Sequence, residues 1–268
     1  MERAESAVRL GRSGRRMGAF SRSFVRAVAV LGLFGTLLGS AEPTPETRLW
    51  LWAWERPEDL RFLASEERVG VAYLSRTLLV DREEVRVSPR RQPLRLPDTV
   101  PLIAVVRVEV PRGAPPSAST VWTVAATAAA ALSGTRATGL QIDFDARASE
   151  IPYYRALLAR LRELLPPEIR LGITALAAWC AGERSWLAGP LPTDEVVPMV
   201  FSMGPDTPLV RAWLEARGGF SVPACRGAVG VSLAEPLRPP PGTRSVYAFS
   251  ATPWTEASYA KLHWRERR

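Results

Sequence analysis

Asp143 and Asp145 stand two residues apart in the stretch GLQIDFDARAS, Gly139 to Ser149, and Gln141 precedes them at the same interval. Alternate residues of a strand share a face, so these three polar groups lie on one side and Leu140, Ile142 and Phe144 on the other, with neighbouring carboxylates roughly 7 Å apart. Two carboxylates in a water-poor place cannot both ionise cheaply, so one pKa rises. A carboxyl raised in this way suits a general acid that protonates a glycosidic oxygen near neutral pH. Asp145 is the candidate proton donor and Asp143 its partner. Acids on one strand do not straddle a sugar, so cleavage requires another carboxylate or a nucleophile within the substrate. Glu235, in SLAEP, is the candidate for that second acid, with Glu109 behind it.

Other chemistries are excluded by scarcity. His263 and Lys261 are the sole histidine and lysine, both among the last eight residues. The rest of the chain therefore has no Ser-His-Asp or Cys-His nucleophile, no Schiff-base lysine and no His-ligated zinc. Neither GxGxxG nor GxxxxGK[ST] is present. No cofactor is expected. A hard cation could be offered oxygen ligands by Gln141, Asp143 and Asp145, but three ligands from one strand converge poorly, and no metal is assigned.

Eight apolar segments read as strands: 48–54, 68–75, 101–110, 139–145, 170–176, 195–203, 228–233 and 244–251. Helical periodicity fills several gaps, at Pro57–Glu66, Ser117–Leu132, Glu150–Leu165 and Pro208–Arg217. In the third of these Leu157, Leu158, Leu161, Leu164 and Leu165 form one stripe, and Pro166-Pro167 ends it. Thr77–Arg91 reads as an extra hairpin in a connection. The expected class is α/β, a single-domain (β/α)8 TIM barrel over 48–260 with a hairpin-like insertion after the second strand. An open doubly wound sheet would usually carry a glycine-rich first turn, and WAWERPED is not one.

In such a barrel the working residues sit at the C-terminal strand ends. Trp54 and Glu55, Arg107 and Glu109, Asp143 and Asp145, Thr174 and Trp179, Met203, Glu235, and Ser250 with Trp254 all fall there. Gln141 and Arg107 would orient a substrate, and Trp54, Trp179 and Trp254 would offer stacking platforms to a sugar. Each Trp taken alone is more often packing, and each Arg beside an Asp more often a structural pair; their convergence on one rim carries the reading.

TGLQIDFD resembles the fourth-strand motif DGxDxDxE of family-18 glycoside hydrolases, the chitinases and their relatives. Aligned so, Asp145 falls on the terminal Glu, the family's general acid, and Asp143 on the second inner Asp. Gln141 and Thr138 stand where that family has aspartates. VVPMVFSMG occupies the place of its sixth strand, with Phe201 or Met203 where a Tyr is usual, and FSATPW resembles its last strand, which puts Trp254 on the sugar-stacking Trp. In that family the Tyr and an inner Asp assist attack by the substrate's own N-acetyl group. From about Trp50 to Trp254 the chain more closely resembles an uncharacterised bacterial exported family known as domain of unknown function 3142, through QIDFDA, TALAAWC, VPMVFSMG, GVSLAEP and VYAFSATPW. That likeness implies the barrel and export, and no activity. The competing reading is a degenerate chitinase-like barrel that binds glycan without cleaving it.

Residues 1–41 read as an export signal or an N-terminal anchor: seven arginines precede the apolar run 27–41. That run falls short of the roughly 20 residues of a bilayer span. Met17 is an alternative start. Residues 42–47 form a Pro-rich linker and 261–268 a basic tail. The net charge of +8 comes from these ends, and the body is neutral, which argues against nucleic acid despite the high pI. The expected protein is a monomer, periplasmic or extracellular, or held at the inner membrane by an uncleaved leader, with a glycan as substrate or ligand. Export permits a Cys180–Cys225 disulfide, but the strand register puts Cys180 near the top of the barrel and Cys225 near the bottom, which argues against it.

Overall fold

A computed structural model describes residues 48–113, 115–181, 185–235 and 237–262. The leader, the linker and all of the basic tail except Lys261 and Leu262 lie outside them. In chain order the strands are β1 (Arg48–Ala53), β2 (Glu58–Asp59), β3 (Val69–Asp81), β4 (Glu84–Pro89), β5 (Leu94–Arg95), β6 (Leu102–Glu109), β7 (Gly139–Asp143), β8 (Arg170–Leu176), β9 (Glu195–Met199), β10 (Ala228–Ser232) and β11 (Ser245–Phe249). Eight of them are parallel neighbours, and β1 pairs with both β11 and β3, which closes the sheet into a barrel. The helices are α1 (Val121–Ala129), α2 (Ile151–Leu164), α3 (Ala177–Ala181), α4 (Thr207–Arg217) and α5 (Glu256–Ala260). No helix among the described residues is long and apolar enough to cross a membrane.

Strand alternation divides the core in two. Outward side chains such as Leu49, Leu51, Leu140, Ile142, Leu171 and Ile173 pack under the helices. The barrel interior instead holds Trp50, Trp52, Ile103, Val105, Val197 and Tyr247. Glycines make room for the two large indoles: a Cβ on Gly70 would lie 2.3 Å from the Trp50 ring, and one on Gly230 2.9 Å from that of Trp52. On α2, Leu157, Leu158 and Leu161 are fully buried while Leu164 is exposed, so the leucine stripe is narrower than its sequence suggests.

Three local expectations need correction. No α-helix forms over Pro57–Glu66; β2 is followed only by a 3-10 turn, Arg61–Ser65. Glu58 and Asp59 pair as a strand with Leu94 and Arg95, and the Glu58 carboxylate is drawn inward, where it accepts from Arg56 Nε at 2.7 Å and from the Trp254 N–H at 2.8 Å, so the start of that stretch is held extended. The second barrel strand does not stop at residue 75. It shifts register between Leu74 and Arg76 beside β6, runs on to Asp81 and pairs antiparallel with β4, so one arm of the hairpin is the barrel strand itself.

Cys180 and Cys225 are bonded, with Cα atoms 5.9 Å apart. The top-and-bottom argument against this pair fails because α3 turns back along the outer wall directly after β8. The segment before β10 meets it there, with Val222 N–H and Ser221 Oγ donating to the Cys180 carbonyl at 3.4 Å and 3.3 Å.

Candidate active site

Strand β7 ends at Asp143, two residues earlier than its alternation suggests. Gln141 and Asp143 face the barrel interior because Leu140 and Ile142 are claimed by the outer core. Asp145 follows the strand. Its position is set by flanking residues: Phe144 is buried against Tyr154, and Ala146, also buried, donates its N–H to the Phe144 carbonyl at 2.9 Å.

These residues open onto a cleft of about 370 Å³ at the C-terminal end of the barrel. Asp143, Asp145, Arg107 and Thr174 form its polar wall, and Trp52, Trp54, Phe201, Phe249, Met199 and Met203 supply most of the apolar one. Phe201 and Phe249 stack 5.4 Å apart with planes within 4°. A space of this size, mostly apolar with a few convergent polar groups, suits a small organic ligand or one sugar unit.

The two aspartates have different surroundings. Asp143 is buried and accepts from Arg107 Nη1 at 3.0 Å and from Thr174 Oγ1 at 2.8 Å. Asp145 makes no hydrogen bond or ion pair with any described residue. It keeps solvent access at the rim, yet the surrounding protein mass and then the Asp143 carboxylate push its pKa up, with Arg107 pulling it partly back. The solvent contact limits the size of that rise. Arg107 is held on three sides, by Asp143, by Glu109 at 2.8 Å from Nε, and by the Trp54 ring 5.5 Å below it. Burial disfavours its charge, but Asp143 and Glu109 outweigh that and raise its pKa.

Trp54 is placed by the chain that follows the hairpin. Arg90 donates to the carbonyls of Ala53, Trp54 and Arg56, and Glu55 accepts from the N–H groups of Arg91 and Gln92. Opposite, Ser202 adopts a left-handed φ of 50°, uncommon for a residue with a Cβ. Its N–H donates to Glu235 at 3.0 Å.

Of the residues named from sequence, Asp143, Asp145, Arg107, Thr174, Trp54 and Met203 line the cleft. Five take other places. Gln141 lies beneath, accepting from Trp52 Nε1 at 2.9 Å, so it orients an aromatic wall and does not reach the opening. Glu235 is bound to the Ser202 turn, and Glu109 to Arg107. Trp254 is buried and donates to the Trp52 carbonyl, and Trp179 packs on Trp186; neither indole lines the cleft. Phe201, which the family resemblance set beside Met203 at the Tyr position, also lines the cleft, and Trp52 and Phe249 are the larger omissions. The alternation of Trp52 with Trp54 and of Phe249 with Tyr247 was the signal available, but which strands stand face to face across the barrel is a tertiary fact.

Residues 98–196 match the model of a family described as a domain of unknown function (DUF3142). The match runs from just before β6 to the start of β9, so it takes in the whole polar wall of Arg107, Asp143, Asp145 and Thr174. No curated protein and no solved structure matches the chain. Among the described residues no three metal-ligating side chains cluster.

Proposed function

We propose that this is a carbohydrate-active barrel of glycoside hydrolase type in which Asp145 is the general acid. One observation carries the reading: Asp145 is an unpaired carboxyl with a raised pKa, set in an open, aromatic-walled cleft at the catalytic end of the barrel. Aromatic rings suit the apolar faces of a pyranose. Asp143, fastened by Arg107 and Thr174, is the second polar group a bound sugar would meet, placed to orient a hydroxyl or amide of the substrate. The Cys180–Cys225 disulfide supports an exported location, where such bonds persist.

A second reading, glycan binding without cleavage, is favoured by a separate observation. Among the described residues Asp143 and Asp145 are the sole carboxylates lining the cleft, so catalysis relies on a nucleophile from the substrate or on Asp143 itself. One experiment separates the two. Asp145→Asn should retain the fold and glycan binding but lower turnover of an activated aryl glycoside by ~10²–10⁴. Turnover equal to that of the unaltered protein would sink the hydrolase reading, and glycan binding with no turnover in either form would establish the second.

A further inference from the structure

A second cavity lies at the other end of the barrel and plays no part in the chemistry above. It measures about 520 Å³ and is formed by the segments that lead into β10 and β11, among them Gly218–Ser221, Cys225–Arg226 and Pro240–Pro241, with Trp213 and Arg217 of α4. We propose that this cavity binds a phosphate monoester.

Four features point there. Two guanidinium groups, Arg217 and Arg226, line the space, and no carboxylate among the described residues does. Arg217 lies over the Trp213 ring at 5.6 Å and has no hydrogen bond or ion pair with a described residue. A guanidinium held over a ring by its charge keeps its N–H groups for other acceptors, and those are the groups that grip an oxyanion. Arg226 uses Nε and Nη2 on the carbonyls of Phe220 and Ser221, both at 2.9 Å, so its charge is fixed in place while Nη1 remains available. The N–H groups of Gly219 and Phe220, at the end of α4, donate to no acceptor among the described residues.

Two uncompensated cations with two unused amides call for a compact dianion with several acceptor oxygens, which a phosphate monoester supplies. Trp213, Phe220 and the two prolines give its organic body an apolar wall. Barrels of this class usually hold phosphate at the C-terminal end; this cavity is at the N-terminal one, so it is separate from the aromatic cleft and stands or falls independently of it.

The test is calorimetric titration of the full chain with phenyl phosphate, alongside sedimentation with vesicles containing phosphatidic acid. Arg217→Gln should weaken binding about tenfold or more, in keeping with loss of a charge-assisted contact, and added salt should weaken it further. Binding of the soluble ester that is lost in R217Q assigns a free phosphate ester. Capture by the vesicles alone, lost in R217Q, assigns a lipid headgroup, and both results support the site. Equal binding by the unaltered protein and R217Q, or no binding in either assay, overturns it. Loss of phenyl phosphate binding in Arg107→Gln would also overturn it, since Arg107 is the cation that lines the upper cleft and the ester would then occupy that cleft. Arg217 is exposed, so a fold defect in R217Q is not expected; Trp213→Phe, which keeps a ring under the guanidinium, serves as a second variant and should bind nearly as well as the unaltered chain.

Discussion

The two ends of the barrel interior contain the same ingredients and use them differently. At the lower end Glu195, at the start of β9, accepts a short hydrogen bond from the Tyr247 hydroxyl and pairs with Arg170 at 3.5 Å, while Trp50 stacks on Tyr247 at 5.9 Å. Burial and then the Glu195 charge drive the Tyr247 pKa far up, so the hydroxyl stays a donor. At the upper end Arg107, Asp143 and Trp54 form a similar trio, but one further carboxyl, Asp145, is left over. A carboxylate, an arginine and an aromatic ring make a plug when each charged group has a partner, and a candidate site when a carboxyl does not. The leftover carboxyl is the one titratable side chain lining that cleft that the protein leaves without a hydrogen bond or ion pair to a described residue, and that is why it is the candidate acid.

Stability measurements can break that comparison. Trp50→Ala should cost ~3–5 kcal/mol, since it empties the plugged end of the barrel. Trp54→Ala, at the half-open rim, should cost well under half as much while weakening glycan binding. Equal losses in chemical denaturation would show that the ends do not differ. Replacing both Cys180 and Cys225 by Ala should come next, at ~2–4 kcal/mol, read as a lowered denaturation midpoint. That bond joins α3, whose first residues line the upper cleft, to a wall of the lower cavity, so the double variant also tests whether each end keeps its shape alone.

The smallest effect is a shift along the pH axis. A general acid works protonated, so turnover should fall as pH rises through the pKa of Asp145. Arg107 lowers that pKa, and Arg107→Gln should move the alkaline limb of the rate profile to higher pH. Stability follows the same proton in the same direction. The folded protein holds it more tightly than the unfolded chain, so Asp145 lowers stability as pH climbs from the ordinary carboxylate range through its raised value. Asp145→Asn should therefore gain on the unaltered protein above that window and match it below. A limb unmoved in R107Q would show that the arginine does not act on Asp145.

The barrel was legible in the chain because eight apolar segments separated by turns and amphipathic stretches leave few other ways to bury both faces of a parallel sheet. The period-two pattern of Gly139–Asp143 likewise decided which side of β7 is polar, for Leu140 and Ile142 must reach the helices. Residues whose role depends on what stands opposite were not legible. Trp254 sits at a strand end, as a sugar platform would, yet the buried Glu58 and the Trp52 carbonyl claim it. Glu235 had the right type and place for a second acid, but the left-handed turn at Ser202 takes its oxygen. Cys180 and Cys225 met because a five-residue helix turns back sooner than strand order implies. Local sequence determined the strands and the face of each side chain, because periodicity is a property of neighbouring residues. Only the closed barrel decided which carboxylate of the cleft remained without a partner, because partnership is settled between strands far apart in the chain.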